Sequence, residues 1–221
     1  MRYYPIHLDL KERRVLVVGG GSVAESKIRQ LVDAGARVLV VTLELINSLQ
    51  GLAETGVINV RIGEFEEGDL DGILLVISAT NDREANQTVA AAASGHGVLC
   101  NVVDEPDLCD FITPALVLRG DLQIGISTGG GSPTLAQRVK REIAELIGEE
   151  YGEFLQLASA MRAEAKQVIP NFEERRERLR AFVESEGLDL LRRGQRQEAI
   201  DLASQILKGD YVNATSSPFG S

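Results

Sequence analysis

The stretch VLVVGGGSVAESKI, residues 15–28, limits the fold more than any other feature of this chain. Four apolar residues run into three glycines, and helical spacing begins at once, with Ala24, Ile28, Leu31 and Val32 on one face. A buried strand that breaks into glycines and restarts as a helix is the entry to a parallel βαβ unit. The pattern then repeats. ARVLVVT, VINVRIGEF, GILLVISAT and VLCNVVD read as strands, separated by the helical stretches LINSLQGLAETG and NDREANQTVAAAASGHG. Unbroken apolar strands alternating with helices imply a sheet covered on both faces. The expected fold class is α/β, a Rossmann-like doubly wound parallel sheet over residues 1–113.

After Asp104 the pattern changes. ALVL and LQIGIST flank Arg119-Gly120-Asp121, a β-hairpin spacing, and STGGGSPTLAQRVKREIAELIGEE opens on glycines and continues as an amphipathic helix. Residues 114–147 are therefore expected to form a hairpin and a helix. Residues 148–208 read as a small helical domain with breakers at Pro170, Gly187 and Gly194, and 209–221 as a flexible tail.

Within the glycine turn, Gly19 allows a sharp bend, Gly21 leaves room for a pyrophosphate against the backbone, and Ala24 lets helix approach strand. The helix N-terminus beyond them favours an anion through unpaired N–H groups and the positive end of its dipole. The second strand ends VVTLEL, with Val41 and Thr42 where an acid would meet the adenosine ribose. Glu44 stands two residues late and either takes that role or begins the next helix. No arginine is present to meet a 2′-phosphate, which favours NAD over NADP.

The formal net charge is −10, against nucleic acid or an anionic membrane as the main partner. Residues 151–221 hold 11 acids and 10 bases, so nearly all of the excess lies upstream. An anionic ligand must then be held by local donors. STGGGSP is one candidate: Ser127 and Thr128 offer hydroxyls, and Gly129, Gly130 and Gly131 let backbone N–H groups converge. Arg138, Lys140 and Arg141 follow on the helix, and a Ser132 cap with Pro133 at the first helical position fits the same residues. No stretch is long and apolar enough for a membrane span, and no signal-peptide pattern opens the chain, so the expected location is cytoplasmic.

The strand VLCNVVD delivers Asp104 to the carboxyl end of the sheet, where ligands bind in such folds. A carboxylate there can take up a proton as hydride leaves for a nicotinamide. Asp107 and Asp110 compete for that role, and a turn-capping role fits any of the three. His7, read in a strand-like segment, and His96, at a helix end, are expected to be structural; so is Cys100. Cys109 reads as more exposed. No zinc spacing or disulfide framework is present, so reduced thiols and no protein metal site are expected.

The order GGG, ATND, NVVD, DF-x-x-PA and ISTGG-x-SP resembles the precorrin-2 dehydrogenase and sirohydrochlorin ferrochelatase family, including the N-terminal module of siroheme synthase. The likeness covers about the first 147 residues. It implies NAD-dependent oxidation of precorrin-2 to sirohydrochlorin, with ferrous iron inserted at the same site in some members. The essential aspartate of the family is matched by Asp104. Its NAD contacts are matched by Ser22, Val23, Leu43 and Glu44, with Thr80 of ATND a further contact beside Gly19 and Gly21. A serine phosphorylated in some members is matched by Thr128. The resemblance also implies a homodimer, with residues after about 114 forming the interface.

A tetrapyrrole polycarboxylate suits the backbone donors and hydroxyls of Ser127, Thr128, Gly129 and Gly130, with Arg119 or Arg138 as the bases. The macrocycle nitrogens would be the metal's ligands. The fused bacterial enzyme carries a downstream methyltransferase, so a separate methyltransferase is expected to supply precorrin-2 here. Two other readings are a chelatase-dominant relative handling iron or cobalt, and a non-enzymatic NAD-sensing regulator. The second leaves Asp104 and STGGGSP without a role.

Overall fold

The computed structural model describes residues 2–211, which divide into two units. The first comprises the chain to Thr113 together with Gly129–Gly131, and the second the remainder.

In the first unit five strands form one parallel sheet: β1 (Arg14–Val18), β2 (Arg37–Thr42), β3 (Asn59–Ile62), β4 (Leu75–Ser78) and β5 (Leu99–Val102), in the order β3-β2-β1-β4-β5. The connecting helices are α1 (Ser22–Asp33), α2 (Asn47–Glu54) and α3 (Arg83–His96). Strand side chains alternate between faces, and both faces are covered. Val15 and Val17 of β1 join Ala24, Ile28, Val38, Val40 and Ile77 in one core layer. Leu16 and Val18 join Val41, Val76, Val89, Ala93 and Cys100 in the other. Because both sets must be apolar, the strands read as unbroken hydrophobic runs. The sequence order reverses between β1 and β4, the switch point at which such sheets leave a crevice beyond their carboxyl ends. The segment around His7 is irregular rather than a strand, and the first strand begins at Arg14.

The second unit holds the antiparallel hairpin β6 (Ala115–Arg119) and β7 (Leu122–Ile126), the helix α4 (Pro133–Leu146), and four helices. These are α5 (Glu150–Val168), α6 (Phe172–Val183), α7 (Gly187–Arg192) and α8 (Arg196–Lys208). Phe154 and Phe182, with ring centroids 4.9 Å apart, sit in a core with Met161, Ala165, Leu191, Ala199 and Ile206. An α5 position passes so close to the hairpin turn that only glycine fits. A Cβ on Gly152 would lie 2.8 Å from the Arg119 carbonyl. Of the tail expected at 209–221, residues 212–221 lie outside the described residues. No helix among the described residues is long and apolar enough to cross a membrane.

Candidate active site

The three glycines after β1 serve different ends. Gly19 has φ +118, and a Cβ there would meet the Ala79 carbonyl oxygen at 2.5 Å, so the turn presses on the end of β4. A Cβ on Gly20 would lie 2.3 Å from the Glu44 carbonyl oxygen and 2.8 Å from Thr42 Oγ1. On Gly21 a Cβ would meet nothing within 4 Å. Helix α1 begins immediately after, with Gly21 as N-cap and no side chain on its first amides. By contrast Asp82, Ser132 and Asn171 cap α3, α4 and α6. The first amides of α1 thus carry no side-chain cap and stand beside an uncrowded Gly21, an arrangement with the charge and room to suit an anion. Ser22 and Val23, at this end, are exposed, and Ala24 is fully buried against the sheet.

Two loops border the turn. After β2, the Thr42 hydroxyl donates to the Glu44 carbonyl at 2.7 Å, and the Ile46 amide donates to the Gly20 carbonyl at 3.1 Å. Leu43 and Glu44 are both exposed, and α2 starts only at Asn47, so Glu44 is a loop residue and does not begin that helix. After β4, the Thr80 hydroxyl lies 3.0 Å from Asn86 Oδ1, the Ser78 hydroxyl donates to the same oxygen at 2.7 Å, and Asn86 Nδ2 donates to the Thr80 carbonyl at 3.2 Å. Asn86 is buried and fixes the ATND turn. Sequence reasoning missed it because a polar residue inside a helical stretch reads as solvent-facing.

The three acids after β5 have different surroundings. Asp110 Oδ2 accepts from the Cys100 amide at 2.9 Å, and the Asp110 amide donates to the Cys100 carbonyl at 2.8 Å. β5 is an edge strand, and this pairing satisfies its outer backbone groups, so the Asp110 carboxylate has a structural task. Cys109 does similar work. It is half-buried, more exposed than the buried Cys100 as expected, and its sulfur accepts from the Val102 amide at 3.2 Å. Burial pushes the Cys100 thiol up to about 12, and burial also raises Cys109. Asp107 is exposed on the short 3-10 helix Pro106–Leu108.

Asp104 is exposed and has φ +63, a left-handed conformation that L-residues adopt at a cost of roughly 1–2 kcal/mol. The Val103 amide donates to the Ser78 carbonyl at 2.9 Å, which anchors the turn to β4. The lysine Lys27 of α1 lies within the electrostatic reach of Asp104. Burial lowers the Lys27 pKa, and the Asp104 charge acts in the opposite direction. Lys27 Nζ also donates to Thr113 Oγ1 at 2.8 Å.

In the second unit, Arg119 does not serve as a free base. Its Nε donates to the Ile147 carbonyl at 2.7 Å, Nη2 to Ala144 at 2.9 Å and Nη1 to Leu118 at 2.9 Å, with Glu149 3.3 Å away. The side chain is 15% exposed and closes the carboxyl end of α4. Arg138 is exposed and paired with Glu142 at 2.8 Å. The Thr128 hydroxyl is held within its own loop, accepting from the Ser132 amide and donating to the Ser132 carbonyl, each at 3.1 Å. Gly129 and Gly130 have φ +63 and +85, and a Cβ on either would meet nothing within 4 Å. Ser132 caps α4 by accepting from the Leu135 amide at 3.2 Å. His96 Nδ1 lies 2.9 Å from the Ala92 carbonyl oxygen at the end of α3.

Three family models match the chain in succession. An NAD(P)-binding model matches residues 6–115, the sirohaem biosynthesis protein central model 119–146, and the sirohaem synthase dimerisation region 150–207. The siroheme synthase of Methylococcus capsulatus is 40% identical over 199 residues, 90% of this chain and 42% of that protein. The chain belongs to the siroheme synthase family. Within the family, the siroheme synthase of Escherichia coli is 39% identical over 176 residues, 80% of this chain and 38% of that one. The chain spans less than half the length of the curated family members it matches. A solved structure, SirC, precorrin-2 dehydrogenase, superposes with a TM-score of 0.78 at 26% identity, over 92% of this chain and 100% of its own. The helices α5 to α8 fall almost wholly within the family's dimerisation region.

Proposed function

We propose that the protein oxidises precorrin-2 to sirohydrochlorin with NAD, acting as a homodimer in the cytoplasm. The observation that carries this reading is the relation of Asp104 to the glycine turn. An exposed carboxylate, held in a left-handed turn after β5, lies at the same carboxyl end of the sheet as an uncapped helix N-terminus over an open glycine after β1, with β4 between the two strands. The name of the superposing SirC and the NAD(P)-binding model agree with it.

Bound NAD supplies the hydride acceptor. The first amides of α1, at Ser22 and Val23, would hold its diphosphate, with Gly19 shaping the turn and Gly21 leaving room. Leu43 and Glu44 border the adenosine side, and Thr80 the side toward β4. Oxidation removes one hydride and one proton from the tetrapyrrole, and Asp104 takes the proton. An exposed side chain at the carboxyl end of the sheet can pass that proton on to water between turnovers. The carboxylates of the substrate meet the backbone of Gly129 and Gly130.

The test is anaerobic incubation of the protein with precorrin-2 and NAD. NADH and sirohydrochlorin are expected to appear in equal amounts, and a folded, NAD-binding protein that forms neither overturns the reading. Adding ferrous iron or cobalt after oxidation is complete tests chelation in the same vessel. Siroheme formation faster than in a protein-free control assigns that second activity.

A further inference from the structure

Asn86 heads the buried stripe of α3, ahead of Val89 and Ala93, at a position in the first turn where an apolar residue would pack. A buried amide is tolerated there because both of its ends are bonded. Its Oδ1 accepts from the Ser78 and Thr80 hydroxyls at 2.7 and 3.0 Å, and its Nδ2 donates to the Thr80 carbonyl at 3.2 Å. Stability alone does not require this network, since an alanine facing a leucine would occupy a similar space with no polar group left to satisfy. What the network adds is a fixed loop after β4, and that loop is pressed against the glycine turn. A Cβ on Gly19 would lie 2.5 Å from the Ala79 carbonyl oxygen and 3.4 Å from the Thr80 nitrogen.

The Thr80 hydroxyl is spent within its own loop. Besides Asn86 Oδ1, it lies 3.0 Å from the Asp82 carbonyl oxygen and accepts from the Asp82 amide at 3.2 Å. The Thr80 amide, by contrast, has no hydrogen-bond partner among the described residues. The N-terminus of α3 is no competing anion seat, because the Asp82 carboxylate accepts from the Glu84 and Ala85 amides at 2.9 and 3.1 Å. We propose that Asn86 is a positioning residue for the cofactor. By holding the hydroxyl and the carbonyl of Thr80, it keeps the Thr80 backbone amide, rather than the hydroxyl, beside the glycine turn as a donor to bound NAD. The identity of that cofactor rests on the function proposed above.

The experiment compares wild type, Ser78→Ala and the double variant Ser78→Ala, Asn86→Leu by calorimetric titration with NAD, thermal unfolding and precorrin-2 oxidation. Ser78→Ala removes one bond to Asn86 and leaves Thr80 held, so its NAD dissociation constant should stay within about twofold of wild type. The double variant removes the buried polar pair together, so its melting temperature should stay near that of wild type. Its NAD dissociation constant and KM for NAD are nevertheless expected to rise about tenfold, with kcat at saturating NAD within about twofold. A merely structural Asn86 gives the reverse, a lower melting temperature with NAD affinity unchanged, and wild-type affinity in the folded double variant overturns the proposal. Hydrogen exchange of wild type with and without NAD decides the matter whether or not the double variant folds: the Thr80 amide is expected to slow at least about tenfold on binding. If wild type binds NAD and that amide exchanges as before, the positioning role alone is refuted. If wild type binds no NAD, the proposed function falls, and the positioning role with it.

Discussion

Substituting the second and third glycines of the turn one at a time separates what holds the fold from what holds the cofactor. Gly21 is extended, φ −89 and ψ −173, a conformation any residue adopts, and its Cβ would meet nothing within 4 Å. Gly21→Ala should therefore fold, losing about 0.5–1 kcal/mol for the poorer N-cap. Its methyl, however, stands in the open space over the first amides of α1, where the diphosphate must approach. NAD affinity is expected to fall at least tenfold, about 1.4 kcal/mol. Gly20→Ala behaves in the opposite way. Its Cβ would lie 2.3 Å from the Glu44 carbonyl oxygen, a backbone atom, so the loop after β2 must move. Overpacking of this kind costs about 1–3 kcal/mol, read as a lower melting temperature. Calorimetric titration with NAD and thermal unfolding of the same preparations measure both effects. If Gly21→Ala binds NAD within twofold of wild type, the space over Gly21 is not the diphosphate seat. If Gly20→Ala melts like wild type, the packing argument fails.

Arg119→Ala should destabilise the second unit by about 2–3 kcal/mol in chemical denaturation, because carbonyls at the end of α4 lose their donors, and lysine should restore little because it lacks the planar fork. Asp110→Ala should cost about 1–3 kcal/mol by stranding the Cys100 amide on the edge strand. Asp104→Gly, by relieving a left-handed residue, should be neutral or up to about 1 kcal/mol more stable. With its pKa pushed up to about 12, Cys100 holds roughly one thiolate in ten thousand at pH 8, so iodoacetamide should modify it only as the protein unfolds. Rapid alkylation of the native protein at Cys100 would contradict that burial.

The sheet was legible because β1, β2, β4 and β5 are apolar on both faces and the glycines mark where the first strand stops. The hairpin was legible from the Arg119-Gly120-Asp121 turn. Less local features were not. Arg119 reads as an exposed residue beside a turn, yet it ends β6 and its partners at Ala144 and Ile147 lie 25 and 28 residues away, and no short-range pattern encodes them. The three acids after β5 were indistinguishable by spacing. Only the edge-strand pairing that occupies Asp110 and the left-handed backbone at Asp104 separate them. Lys27 looks like a surface charge in SKIRQ until the helix face it shares with Ala24 and Ile28 is known. The spacing was in the sequence, but its partner Thr113, 86 residues away, was not.

Asp104 is proposed to take the proton that accompanies hydride loss from precorrin-2. Single-turnover oxidation by Asp104→Asn, with protein in excess over precorrin-2 and NAD saturating, tests it most directly. The asparagine keeps the shape of the side chain and tolerates a left-handed backbone, so stability and NAD affinity should match wild type. NADH and sirohydrochlorin are expected to form at least about a hundredfold more slowly than in wild type, within the range of a lost general base. Turnover at the wild-type rate by a folded, NAD-bound Asp104→Asn would contradict it.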